Sequence, residues 1–267
     1  MKAALTLVRH SLRRRRTFLI VGVLFLFAFQ IFMILVARAI YRTGGFEELG
    51  SLMPNFLEQW TNMVALSFKG MVLFGYSHPL VELFLIAIVI GVATEPATEI
   101  ESKFIDLLMA RPLPRSAAIV RSMIVVLIVT AGAVGSMFAG QSIGLRLFTP
   151  ATADAPGLRV SLYLITNLAL LILAWGGIAL TIAAFSKRRA TAVAICGFLA
   201  FAMFVLDYVG RFWQKISTIS KLSPFHYYSP FPLIGGAHLR SNDVIVLLAI
   251  FLAGSAIANV VYARRDL

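Results

Sequence analysis

A single cysteine, Cys196, stands in this chain of 267 residues, and it lies inside an apolar run. No intrachain disulfide is therefore possible, and the thiol reads as a small packing residue. Charge is scarce too. Only 13% of the residues are charged and only twelve are acids, whereas in a soluble domain roughly a quarter of residues are charged. That scarcity excludes an ordinary soluble globule. No GxxxxGK[ST] phosphate loop occurs, so ATP is not bound in that way. CxxC and HExxH are absent as well. The four histidines, His10, His78, His226 and His238, lack metal-ligand spacing. No catalytic residue, metal or cofactor is expected in this chain, and there is no internal repeat, low-complexity tract or soluble domain.

What is present is apolar. Sixty per cent of residues are hydrophobic and the mean hydropathy is +0.88, which places the chain among all-α integral membrane proteins. A single transmembrane domain over residues 1–267 is expected, with six spans near 18–36, 76–93, 122–145, 160–185, 190–208 and 244–262. Residues 2–13 alternate Lys2, Thr6, Arg9 and Arg13 with Leu5, Val8 and Leu12, the pattern of a short amphipathic helix on a bilayer surface. Four arginines at 13–16 precede the first span. Ala37-Arg38-Ala39 looks like a signal cleavage site, but the apolar run is too long for a signal peptide and further spans follow. An uncleaved first helix with its N-terminus inside is the expectation. Six spans then return the C-terminus to the same side. Fifteen of the 24 basic residues fall on that side, in the shorter loops. This asymmetry follows the positive-inside rule and accounts for the net charge of +12 without nucleic acid.

Three stretches are less regular. Residues 38–78 are mixed in character, and helical spacing around Trp60 suggests an interfacial helix. The apolar run at 80–93 is too short to cross, since about 20 residues are needed. The crossing must borrow from 71–78 or from residue 94 onward, which puts Glu82 near membrane depth. Glu82 is either a pathway residue, as intramembrane acids often are, or a first-turn group at the outer interface. In the third span, Gly132, Ser136, Gly140 and Gly144 repeat every four residues, a stripe that admits a close helix neighbour. Gly132-Ala133-Val134-Gly135-Ser136 has a faint likeness to an intramembrane serine nucleophile, but no base is paired with it. Residues 211–240 are rich in proline and aromatics and do not span.

Residues 94–115 form the one long charged segment between two membrane-length apolar runs. Read as a helix, they place Ile100, Phe104, Leu107 and Leu108 on one face. Thr94 is the expected N-cap, Pro96 fits a first turn, and Glu99 is one turn from Lys103. Pro112 and Pro114 end the helix. Two readings follow: a connector lying on the membrane surface, or a docking helix offered to a soluble partner.

The run Glu99-Ile-Glu-Ser-Lys-Phe-Ile-Asp-Leu-Leu-Met-Ala-Arg-Pro-Leu-Pro-Arg115 resembles the motif after the second span in the membrane subunits of type-two ATP-binding-cassette (ABC) exporters, the small six-span permeases. Lys103-Phe104 stands where that family commonly has Gly-Thr. Gly75-Tyr-Ser-His-Pro79, Ser223-Pro-Phe-His-Tyr-Tyr228 and Arg264-Arg-Asp-Leu267 are similar to family features in the same order along nearly the whole chain. The resemblance implies a cytoplasmic coupling helix at 95–106. Glu95, Glu99, Glu101, Phe104, Ile105, Leu108 and Arg111 would dock a separate ATPase, with residues 2–13 as a connecting helix. Short re-entrant helices at 211–240 would close the external end through Pro224, Phe225, His226, Tyr227 and Tyr228. Two permease copies, identical or closely paralogous, would meet through their first and fifth spans. Two ATPase subunits would carry the ATP and magnesium. The setting implied is a cell membrane of the bacterial inner-membrane kind, with both termini cytoplasmic.

Other function classes remain: a membrane-embedded enzyme, or an assembly factor, acting on lipid or peptide without ATP coupling. An enzyme needs paired polar groups at one depth, and the chain offers only the scattered Glu82, Asn167 and Asp207. Apolar walls with few charges suit a hydrophobic or amphiphilic cargo. The topology is open to a direct check. Reporter fusions at Leu267 and in the loop at 149–159 are expected to report opposite sides of the membrane, and a shared side would refute six spans.

Overall fold

A computed structural model of the chain describes residues 2–46, 66–102, 116–213 and 217–264, and for 2–5, 211 and 212 the backbone alone. The expected helix at Trp60, and the docking residues Phe104, Ile105, Leu108 and Arg111, lie outside the described residues. Among the described residues there is no strand. Six helical stretches among the described residues are long and apolar enough to cross a membrane, where the absence of water in a bilayer core favours helices.

The amphipathic helix α1 (Lys2–Arg14) buries Val8 and Ser11 and leaves Arg9 and Arg13 exposed. The chain turns at Arg15 into α2 (Arg16–Arg42), longer at both ends than the expected span. The second crossing is three helices in succession: α3 (Phe68–Phe74), α4 (Pro79–Ala93) and α5 (Glu95–Glu101). It borrows on both sides of the short apolar run. Each break has a local cause. Ser67 caps α3 by accepting the Gly70 N–H at 3.0 Å, and His78 Nδ1 accepts the Leu80 N–H at 3.3 Å as α4 begins on Pro79. Thr94 stands at the N-cap position of α5, but its side chain makes no cap bond. Its hydroxyl turns back to the Ile90 carbonyl at 2.8 Å, closing α4 instead.

Four more long helices or their short connectors follow: α6 (Ala117–Phe148), α7 (Leu158–Phe185), α8 (Arg189–Phe212), the single turns α9 (Ser217–Ser220) and α10 (Pro230–Ile234), and α11 (Ser241–Arg264). A 3-10 turn, Pro224–Tyr227, lies between α9 and α10. The centre of the bundle is α7, packed on α4, α6, α8 and α11, with Trp175 fully buried. By contrast, α2, α8 and α11 turn rows of large apolar side chains outward, such as Phe18 and Leu24, Phe198 and Phe201, Ile245 and Leu252. In lipid such rows carry no hydrophobic penalty, and helices associate instead by close packing of small residues.

That rule fits both tight contacts. A Cβ on Gly254 would lie 2.5 Å from the Gly177 carbonyl oxygen, and one on Gly177 would lie 2.7 Å from the Phe251 Cα. The two backbones touch, and Thr181 Oγ1 donates across to the Gly254 carbonyl at 2.8 Å. The four-residue stripe on α6 divides. Gly140 and Gly144 press on α2, where a Cβ would meet the Phe27 carbonyl oxygen at 2.5 Å and Ile34 Cδ1 at 2.6 Å, whereas Gly132 faces open space. Gly177→Val is therefore expected to cost about 1–3 kcal/mol or more by overpacking, read as a lower unfolding midpoint in detergent. Gly197→Ala, at a position with open space around it, is expected to stay within about 0.5 kcal/mol of the parent.

Candidate functional site

The length of α4 separates two polar stations. It has 15 residues, about 22 Å at 1.5 Å per residue.

At its C-terminal end, five elements meet around α5. Glu95 and Glu99 are buried, at 2% and 4% exposure, and so is Arg121 of α6 at 2%. The Glu99 carboxylate is paired with the Arg121 guanidinium, which also donates to Ser122 Oγ at 3.3 Å. Glu95 Oε1 accepts the Ser11 hydroxyl of α1 at 3.2 Å. The exposed Glu101 accepts the Arg189 backbone N–H at 2.9 Å, at the start of α8. The Gly91 carbonyl, freed near the end of α4, receives the Arg15 guanidinium and, at 3.4 Å, that of Arg189. Burial holds the Arg15 guanidinium below its ordinary value, and the Glu95 carboxylate opposes the shift. One short helix is thus tied by its acids to α1, α6 and α8.

The sequence offers Glu99 a partner one turn away in Lys103, which lies outside the described residues. Glu99 points inward to Arg121, because a carboxylate taken out of water needs a close cation. Of the predicted docking acids, Glu101 alone is exposed; Glu95 and Glu99 face the bundle. Sequence reasoning missed Ser11, Arg15, Arg121 and Arg189 as members of this cluster. The available signal was Arg121, an arginine followed directly by a membrane-length apolar run, which demands an acidic partner.

At the other end of α4, the 3-10 turn packs into the bundle. Phe225, 2% exposed, packs between Trp175 and Phe204, with ring centroids at 5.8 and 5.4 Å. Tyr228 is equally buried and donates its hydroxyl to the Tyr76 carbonyl at 3.1 Å. The Tyr76 hydroxyl bonds Gln141 of α6, whose amide donates to Ser161 of α7 at 2.9 Å. Ser223 fastens the turn to α8 through the Met203 carbonyl at 2.9 Å. Pro224 is buried, while His226 and Tyr227 are half-buried. Glu82, in the first turn of α4, is 5% exposed.

His226, Asp207 and Ser220 also come together here. Ser220 Oγ is 3.3 Å and Asp207 Oδ1 3.8 Å from the same ring nitrogen, Nδ1. A nucleophile–base–acid relay needs serine and aspartate on opposite nitrogens. The Ser220 hydroxyl is moreover given to the Ser217 carbonyl at 2.8 Å. The group ties α9 and the 3-10 turn to α8 rather than forming a triad.

No family model matches the chain, and no curated protein matches it.

The buried ion pair should behave as a unit. Arg121→Met or Glu99→Gln alone is expected to destabilise the bundle by about 3–5 kcal/mol, because each strands or unbalances a buried partner. The double variant is expected to recover much of that loss. A double-mutant cycle on thermal melting in detergent measures the coupling, and simple additivity of the two single effects would refute it.

Proposed function

We propose that the chain is the permease subunit of an ATP-driven ABC exporter, forming half of a translocation path. The observation that carries this reading is the three-way tether of Glu95–Glu101. A soluble motor acting on a membrane subunit needs a handle that is short, charged and fastened to several spans at once. Here Glu95, Glu99 and Glu101 bind Ser11, Arg121 and Arg189, so a displacement of α5 is carried into α1, α6 and α8 together.

In this reading the ATPase seats on residues 94–115. Phe104 is the anchor, flanked by Ile105 and Leu108, with Glu101 and Arg111 as charged contacts. Glu95 and Glu99 transmit motion inward instead of touching the partner. The chain contributes no nucleotide site; ATP and magnesium belong to the ATPase. At the far end of α4, residues 224–228 form the external gate, re-entrant and closed by Phe225 and the Tyr228–Tyr76 bond. Two permease copies and two ATPases make the working assembly, in a bacterial inner membrane with the termini of the permease cytoplasmic. Glu82 lies on the gate side of the path.

Affinity purification of the tagged full chain from its native membrane, followed by an ATP-hydrolysis assay, tests the proposal. A Walker-type ATPase subunit is expected to co-purify. Phe104→Ala should weaken that association by on the order of tenfold or more, since each 1.4 kcal/mol or so is a factor of ten. Glu101→Ala should cost only about 0–1 kcal/mol, as exposed ion pairs do. A chain that purifies intact without any ATPase, or a Phe104→Ala chain that binds and stimulates it like the parent, would overturn the assignment.

A further inference from the structure

The stripe on α6 leaves a gap where α2 and α6 part. They touch at Gly140 and Gly144, yet two turns back Gly132 faces open space. The gap is an apolar crevice of about 180 Å³ running past Gly22, Leu26, Val129 and Gly132, with Ile88 of α4 as its floor. Leu12 and Ile128 line its outer lip, and the same two residues line a second, open groove of about 400 Å³ beside α1. That groove is bounded by Val8 and by three arginines, Arg9, Arg13 and Arg16.

The arginines distinguish this groove from an ordinary lipid-facing surface. All three are exposed. Among the described residues, none of them makes a hydrogen bond or an ion pair. Arg9 and Arg13 lie one turn apart on α1, and Arg16 opens α2. Long basic side chains lay their stems along apolar surface and hold the charged head at its edge. The result is a cationic rim over an apolar slot that continues between two membrane helices. Basic pockets between spans hold anionic lipid head groups, and juxtamembrane basic clusters attract the same lipids.

We infer that this groove is a binding site for one anionic phospholipid. The phosphate rests among Arg9, Arg13 and Arg16, and an acyl chain passes Leu12 and Ile128 into the slot that Gly132 keeps open. Charge selects the occupant. A neutral lipid gains the slot but not the rim, and a soluble anion gains the rim but not the slot. The site ties α1 to α2 and α6, beside the charged anchor yet sharing no side chain with it, and does not depend on the transport reading.

The experiment takes the full chain in detergent with equimolar dioleoyl phosphatidylglycerol and dioleoyl phosphatidylcholine, and counts retained lipid by native mass spectrometry. The parent is expected to retain one phosphatidylglycerol with a preference on the order of tenfold or more. The triple variant R9Q/R13Q/R16Q should lose that preference. Gly132→Leu, which fills the slot and leaves the rim intact, should lower retention of both lipids. Each variant is compared at matched elution and melting, and Arg13→Gln alone, a milder change, should give an intermediate preference. Equal retention of the two lipids by the parent, or an unchanged preference in the triple variant, would overturn the site. So would unchanged lipid retention in Gly132→Leu together with an altered dimer fraction, which would assign the crevice to a second copy of the chain.

Discussion

The ion pair between Glu99 and Arg121 sets the architecture of one end of this bundle. Both partners are almost wholly buried, and breaking such a pair leaves an uncompensated charge in a medium that cannot solvate it. The pair therefore fixes the register of α5 against α6. Once that register holds, Glu95 reaches Ser11 and Glu101 reaches the start of α8. The Gly91 carbonyl, near the end of α4, is left to two arginines.

Behind the anchor, the bundle is held by shape rather than by charge. Gly177 and Gly254 let α7 and α11 touch backbone to backbone, Gly140 meets the α2 backbone at Phe27, and Gly144 makes room for the Ile34 side chain of α2. Apolar burial gives little discrimination where lipid tails are as apolar as leucine. This explains why a large side chain such as Phe198 can lie outside while Gly140, Gly144, Gly177 and Gly254 lie at the helix contacts. At the far end the packing becomes aromatic and polar together. Phe225 fills the space between Trp175 and Phe204, and the chain from Tyr228 through Tyr76 and Gln141 to Ser161 satisfies buried donors that would otherwise be costly. Both stations draw groups from α6 and α8.

Much of the fold was legible in the sequence because a membrane permits so few solutions. Twenty or so apolar residues in a row must be helical, since no water is present to satisfy the backbone. The six membrane-length helices and the amphipathic start follow from that constraint, and the proline-rich composition of 211–240 marks it as non-spanning; the short helices there came only from the family resemblance. The same constraint makes the second crossing borrow residues from one side or the other of its short apolar core; the structure borrows from both. The glycine stripe announced a close neighbour, because only small side chains permit one.

Tertiary structure alone decided how the polar groups are paired. Glu99 and Arg121, 22 residues apart, meet only because two helix ends are brought together, and both are buried there. It likewise decided that Gly140 packs while Gly132 stays open, since helices crossing at an angle touch at one place and diverge elsewhere. Periodicity along one chain specifies which face of a helix is special. It carries no information about where a second helix comes closest, and that distance determines whether a glycine is a contact or a cavity.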